Sequence, residues 1–277
     1  MMEKSYMVKC YRRQIEMLIW EGVKTMKGEA EVKVKSLQKA LEILGCFVEK
    51  QPLGTTEISE KLGLYKSNVH NILMTFTAMG YLEQDTETGK FRLGTVIFAL
   101  SRALRENLDI SRIALPFMQK VADEAGELVY LTIPSGDEIV YLEVVYPQSQ
   151  KLSGRFVTGE RAKMYCTSAG KAIMAQMSDE EIEEILKNPA EAYTEHTITD
   201  KEKMWEEIYR TRERGYGIDN MELMFGIKCV GVALVNHRGQ AEAGISISGP
   251  SLRMSDEKIP VFVEILQKYK KEIQKRL

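Results

Sequence analysis

Residues 62–94 read LGLYKSNVHNILMTFTAMGYLEQDTETGKFRLG. Gly63 permits a tight turn. A helix is expected from Lys66 to about Met79, with Val69, Ile72, Leu73 and Phe76 on its inner face. Gly80 stops it. Tyr81-Leu82-Glu83-Gln84, a turn at Asp85-Thr86-Glu87-Thr88-Gly89 and Lys90-Phe91-Arg92-Leu93 then read as a hairpin, with Leu82, Phe91 and Leu93 on one side. Toward the N-terminus, Leu37, Ala40, Leu41, Leu44, Phe47 and Val48 recur at helical spacing as one face of a helix that Gln51-Pro52-Leu53-Gly54 ends. Thr55 or Thr56 caps a second helix through Leu62, with Ile58 and Leu62 facing inward. Three helices and a hairpin make a winged helix-turn-helix.

Toward the C-terminus, residues 95–126 read as helix. Val96, Ala99, Leu100, Ala103, Leu104 and Leu108 supply one apolar stripe. A second helix begins at Asp109 or Ser111, with Ile113, Leu115, Met118 and Val121 inside, and Pro116 belongs in its first turn or kinks it. From Glu127 the period changes to that of strands. Leu128 to Ile133 and Glu138 to Val145 flank the turn signal Pro134-Ser135-Gly136-Asp137, and a further strand is expected near Leu152 to Val157. A helix follows Thr167-Ser168-Ala169-Gly170. Ser178-Asp179-Glu180-Glu181 and Thr199-Asp200-Lys201-Glu202 fit the capping box, the second opening a helix that ends at Gly215. Strands resume at Cys229 to Val235 and Ala241 to Ser248, and a helix from about Ser255 to Lys275 follows. This mixture of helices and antiparallel hairpins is α+β.

The 277 residues predict about two domains. Lys+Arg of 38 against Asp+Glu of 40 excludes a tail-driven polyanion binder, though not a DNA reader with a local basic surface. The longest apolar runs, such as Val96 to Leu100, fall far short of the roughly 20 residues of a bilayer span, so no membrane partner is expected. Cys10, Cys46, Cys166 and Cys229 form no CxxC, which fits reduced thiols in a cytoplasmic protein. Residues 1–33 read as an extension in which Lys4, Lys9, Arg12, Arg13, Lys24 and Lys27 interleave with Ile15, Leu18, Ile19 and Trp20. An amphipathic helix docked on its own chain or a partner subunit fits that pattern.

A helix-turn-helix puts its second helix in the major groove and reads bases from that helix's N-terminal part. Opposite Val69 and Ile72 lie Lys66, Ser67, Asn68, His70 and Asn71, short-reach donors and acceptors, and asparagine pairs bidentately with adenine. Lys66 can meet phosphates, as can Lys90 and Arg92 from the wing. A second reading stands beside this one, since winged helices also serve as protein-interaction modules. Between Val34 and Gly94 seven bases (Lys35, Lys39, Lys50, Lys61, Lys66, Lys90, Arg92) face seven acids (Glu42, Glu49, Glu57, Glu60, Glu83, Asp85, Glu87). Charge alone therefore does not favour DNA.

The run 62–94 resembles the DNA-binding half of the IclR family of transcriptional regulators. YCTSAGKA (165–172), GYGIDNMELMFGIKCVGVAL (215–234) and SISGP (246–250) resemble its effector-binding half, in the same order and spacing. The likeness covers about residues 34–277. It implies a winged helix-turn-helix at 34–94, a linker helix at 95–112 acting as dimer contact and relay, and a GAF-like, profilin-like effector-binding domain at 113–277. It implies a homodimer or dimer of dimers on a double-stranded operator, acting as a repressor released or engaged by a small carboxylate. By the same resemblance Ser168, Asp219, Cys229, Ser246 and Ser248 line the effector pocket. Ser246 and Ser248 alternate on one strand and so point to one side. Ser168, Ala169 and Gly170 at a helix start offer backbone N–H groups and a positive helix end to a carboxylate. Tyr65, Asn68 and Asn71 stand where the family usually has proline, threonine and arginine, so an operator sequence does not transfer. Lys163, Tyr165 and Cys166 stand in place of proline, histidine and alanine, so the pocket is reshaped.

Enzyme, cofactor and metal readings find little. No GxSxG, GxGxxG or P-loop occurs, and His70, His196 and His237 lack zinc spacing. Lys171 fits a buried ion pair or a carbonyl cap better than catalysis. Cys166 and Cys229 leave a thiol switch as a minor alternative.

Overall fold

The computed structural model describes residues 32–106, 108–148 and 157–277. The expected N-terminal amphipathic helix and most of the strand near Leu152 to Val157 lie outside those residues. The chain divides into two compact units, one through residue 107 and one from Leu108.

The N-terminal unit holds α1 (Lys35–Glu49), α2 (Thr55–Leu62), α3 (Lys66–Ala78), β1 (Leu82–Gln84), β2 (Phe91–Leu93) and α4 (Val96–Glu106). Its core is Ile43, Cys46, Phe47, Leu53, Ile58, Val69, Leu73, Leu82 and Phe91. The wing pairs Leu82 with Leu93 and Gln84 with Phe91, and Leu53 bridges to Phe91. Two local expectations need correction. On α1 the buried face is Ile43, Cys46 and Phe47, while Leu37, Leu41 and Val48 are more than half exposed, at 56%, 56% and 57%. The helix carries two apolar stripes, and only one meets α2 and α3. On α2, Thr55 is already helical. Gly54 is the N-cap, and its N–H donates to Glu57 Oε2 at 2.9 Å.

The second helix begins at Asp109, one of the two starts expected: Leu108 is non-helical (φ −101°, ψ 81°) and α5 (Asp109–Ala125) follows it, so the span 95–112 expected as linker holds α4 and the first turn of α5. Pro116 sits well inside α5, beyond the first turn. There its absent N–H leaves the carbonyl of Arg112 without the usual helical partner. The buried stripe of α5 is Ile110, Ala114, Met118, Val121 and Ala122, whereas Leu115 is 43% exposed.

The C-terminal unit continues with β3 (Leu128–Ser135), β4 (Glu138–Val145), β5 (Arg161–Lys163), a 3-10 turn at Met164–Cys166, α6 (Ser168–Met174), α7 (Asp179–Ile185), α8 (Lys201–Arg214), β6 (Gly217–Asn220), β7 (Ile227–Val235), β8 (Ala241–Pro250) and α9 (Ile259–Gln274). The strands form one antiparallel sheet in the order β5-β4-β3-β8-β7-β6. Alternation sorts its residues to two faces. Val129, Leu131, Val230, Val232, Ile245 and Ile247 share a core with α5 and α9, while α6 and α8 pack with Ile139 and Ala233 in a second core. Ser178 caps α7 reciprocally with Glu181, as its spacing predicts. For α8 the cap is Asp200, which accepts from Lys203 N at 2.9 Å, one residue beyond the expected Thr199. Gly215 closes α8 at φ 79°, in the left-handed region. No helix among the described residues is long and apolar enough to cross a membrane.

Candidate functional site

The N-terminal unit presents α3. Ser59 is buried on α2 and donates from Oγ to Leu64 O at 2.6 Å, while Gly63 turns the chain at φ 64°. Val69 and Leu73 are fully buried and fix the rotation of α3. All five expected readers, Lys66, Ser67, Asn68, His70 and Asn71, consequently face solvent. Tyr65 precedes them and is 81% exposed. A tyrosine at a helix entry carries no sequence mark that separates a ligand contact from a core position, and its exposure emerges only from the fold.

The wing is stiffened by Asp85, whose Oδ1 accepts from Glu87 N at 3.1 Å, Thr88 N at 2.7 Å and Thr88 Oγ1 at 2.9 Å. The two wing bases are exposed but already paired. Lys90 lies 3.0 Å from Glu57. Arg92 donates from both Nε and Nη2 to Glu83 Oε2, its cross-strand partner. Glu57 is held at about 2 by the Gly54 N–H and by Lys50 and Lys90, well below the usual carboxylate range. A phosphate arriving at the wing therefore competes with carboxylates in contact. This restrains the expected role of Lys90 and Arg92, while Lys66 is exposed at the start of α3.

In the C-terminal unit the strand register assembles the second site. Asp219 on β6 pairs with Cys229 on β7, Cys229 with Ser248 on β8, and Ser248 with Leu128 on β3. The next row on the same face is Gly217, Gly231, Ser246 and Tyr130. Four of the five pocket residues expected by resemblance thus share two adjacent rows. The fifth, Ser168, is the first residue of α6, and it lies against the second row because Gly217 and Gly231 carry no side chain there. A Cβ on Gly217 would lie 2.2 Å from Ser168 O, and one on Gly231 would lie 2.8 Å from Ala169 N. Ala169 spends its methyl on Gly244, whose own Cβ would approach it to 2.9 Å. Gly170 lies against the 3-10 turn, where a Cβ would meet Met164 O at 2.5 Å. Its N–H is taken by the N-cap Thr167 Oγ1 at 3.2 Å. The geometry around Ala169 and Gly170 is thus close packing, and α6 spans only two turns. Ser168, Asp219, Ser246 and Ser248 are each at most 5% exposed.

The Cys229 thiol donates to Ser248 Oγ at 3.1 Å. Burial, and after it the Asp219 charge, pushes that thiol well up. Burial does the same to Cys166. Reactive thiols need the opposite shift, so neither cysteine has the environment of a switch. Asp219 Oδ1 accepts from Glu222 N at 2.7 Å and Leu223 N at 3.4 Å. Burial and then the Glu222 charge raise the Asp219 carboxyl to about 7, against the opposing pull of Lys171. Lys171 is fully buried and donates to Ile218 O at 2.6 Å and Glu222 Oε1 at 2.5 Å. It is both an ion-pair partner and a carbonyl cap, as its residue type predicts. Glu222 escaped the sequence reading, because no local pattern links it to a lysine 51 positions earlier. Thr194 and Thr197 were missed for the same reason. They donate to Met221 O and Glu222 O, each at 2.7 Å, and pin the loop that carries Glu222. Among the described residues no group of three His, Cys, Asp or Glu is placed to hold a metal ion.

The family model "IclR helix-turn-helix domain" matches residues 36–86, and "Bacterial transcriptional regulator IclR C-terminal" matches residues 102–275. The chain is 30% identical over 227 residues to the HTH-type transcriptional regulator BhcR of Paracoccus denitrificans, covering 82% of this chain and 81% of that one. It is 27% identical over 245 residues to the transcriptional repressor IclR of Escherichia coli, covering 87% and 89%. An IclR homolog of Microbacterium hydrocarbonoxydans, solved in complex with 4-hydroxybenzoate, shares the fold with a TM-score of 0.75 at 23% identity, covering 87% of this chain and 98% of that one.

Proposed function

Because the chain belongs to the IclR family of bacterial transcriptional regulators, we propose that it is an operator-binding repressor controlled by a small organic acid held in its C-terminal unit. The observation that carries the DNA half is the orientation of α3. Its apolar side is buried at Val69 and Leu73, and Lys66, Ser67, Asn68, His70 and Asn71 are presented together to solvent. Those side chains suit base edges, with Lys66 as a phosphate contact. The wing cations contribute less, since Glu57 and Glu83 hold them. For the effector half, Ser168, Asp219, Cys229, Ser246 and Ser248 offer hydroxyl, thiol and carboxyl groups on one face of the sheet. That set suits a compact oxyacid, and the neighbour bound to 4-hydroxybenzoate is consistent with the class. An acid shifts DNA binding only if it binds one arrangement of the regulator better than another. Titration of labelled duplex from the chain's own upstream region tests the reading. Affinity should fall with salt and exceed that for a scrambled duplex. Equal, salt-insensitive affinity for both would favour the protein-interaction reading.

Self-association belongs to the same proposal. The second stripe of α1 (Leu37, Leu41, Val48) and the α4 residues Phe98, Leu100 and Leu104 (78%, 53% and 62% exposed) leave apolar surface open in the single chain. A second copy covering α4 accounts for it. Phe98→Ser is expected to raise the dimer dissociation constant by roughly tenfold or more in sedimentation equilibrium. Far-UV circular dichroism should be unchanged, because the ring takes no part in the monomer core. An unaltered constant would remove α4 from the interface.

A further inference from the structure

We propose that the effector site takes its carboxylate together with a proton, which comes from solvent and resides on Asp219 in the occupied state. The inference rests on the carboxylate reading above and adds a requirement that the reading alone does not contain.

Beside the row Asp219–Cys229–Ser248 lies an ionic chain that is buried at Lys171 and Glu222 and half-buried at Glu207 and Arg214. Lys171 touches Glu222 at 2.5 Å and Glu207 at 3.8 Å, and Arg214 touches Glu207 at 2.6 Å. When Asp219 is ionised, three carboxylates (Asp219, Glu222, Glu207) stand near two cations (Lys171, Arg214) among the described residues, an excess of one negative charge. The lysine is spent on Glu222 and on Ile218 O. Glu222 is 4% exposed, and its Oε2 has no hydrogen-bond partner. Among the described residues, the other titratable groups packed around Asp219 include Cys229 on β7, Cys166 on the 3-10 turn and Tyr141 on β4, all pushed well up by burial, and Tyr130 on β3 stands in the next row against Tyr141.

Among the described residues, an anion entering beside Asp219 therefore meets no uncommitted cation in this cluster. It meets a carboxyl that burial already brings to about 7. Two anions side by side out of water are costly, and a shared proton removes the conflict. The protonated carboxyl then donates to the bound carboxylate. Its Oδ1 still accepts the backbone N–H groups of Glu222 and Leu223.

Isothermal titration calorimetry of the full-length protein with acetate, lactate, benzoate and 4-hydroxybenzoate, each in two buffers of different ionisation enthalpy that titrate at the working pH (phosphate and Tris at pH 8, MES and histidine at pH 5.5), reads the proton directly. About one proton should be taken up per bound acid at pH 8 and about none at pH 5.5, where Asp219 is already protonated. Above pH 7 the affinity should fall about tenfold per pH unit. Asp219→Asn should bind the same acid without proton uptake and without that slope. An acid bound at pH 8 with no proton taken up by the wild type overturns the proposal and leaves the carboxylate reading standing. Failure of every acid in the panel to bind overturns the carboxylate reading, and the proposal with it.

Discussion

Lys171→Met is expected to cost about 3–5 kcal/mol of unfolding free energy at pH 8, because it strips the partner from buried carboxylates. Methionine fills much of the volume of the lysine stem. The loss is therefore one of charge, leaving Glu222 and Glu207 against Arg214 alone, with Asp219 nearby. The pH dependence has a definite sign. Burial raises Glu222, and Lys171 opposes that rise; Asp219 follows the same pattern. Without the lysine both folded-state values climb further above their unfolded values. The folded variant then binds extra protons, and its deficit grows as pH rises through the carboxylate range toward 8. Urea denaturation at pH 5 and pH 8 should show the smaller deficit at pH 5. The fluorescence of Trp205, which stands on α8 and packs against the second core, reports the unfolding. A variant as stable as the wild type at pH 8 would mean that the ion pair does not hold β6 to α6.

The second large effect concerns α3. Asn68→Ala combined with Asn71→Ala should lower operator affinity by about 2–6 kcal/mol, roughly 30-fold or more, since a bidentate base contact is worth about 1–3 kcal/mol each. Both residues are exposed, so thermal stability should hold. The salt slope should also hold, because neither residue is proposed to neutralise a phosphate. Lys66→Ala makes the contrast, weakening all duplexes alike and reducing the slope by about one. Unchanged operator affinity in the double variant would remove both asparagines from the reading surface, and a changed salt slope would reassign them to the backbone.

The contrast between these two predictions follows what was legible in the sequence. The reader surface was legible because helix periodicity alone places Val69 and Leu73 inward and Asn68 and Asn71 outward. Local chemistry likewise marked the Ser178 cap, the Gly215 helix end and the hairpin at Gly136. Periodicity failed where a helix carries two apolar stripes. On α1 it could not tell Ile43-Cys46-Phe47 from Leu37-Leu41-Val48, because what covers each is decided by packing. The rows proposed to hold the effector were legible only through resemblance. Their physical cause is a register that sets Asp219, Cys229 and Ser248 side by side, and glycines that let α6 lie on the sheet backbone. The Lys171–Glu222 pair joins residues far apart in the chain, and no local pattern could have predicted it.

The near-neutral charge of the N-terminal unit gains a structural meaning. Glu57 and Glu83 do not merely dilute a basic surface; Glu83 holds Arg92, and Glu57 holds Lys90 together with Lys50. On the proposed reading, DNA affinity therefore rests on α3 and on the pairing of two copies. Control by an acid is then economical, since a small change in how two readers are presented alters a binding energy made of few contacts.

The central claim is that an acid bound at the Asp219–Cys229–Ser248 row changes operator binding. The most direct test is fluorescence anisotropy of the upstream duplex at pH 7, titrated with and without an acid that calorimetry has found to bind. Wild type and the Ser246→Ala, Ser248→Ala variant are compared. The account predicts an operator affinity that shifts by about fivefold or more on adding acid to the wild type and does not shift in the variant. An equal shift in both proteins, or none in the wild type with the acid demonstrably bound, would contradict it.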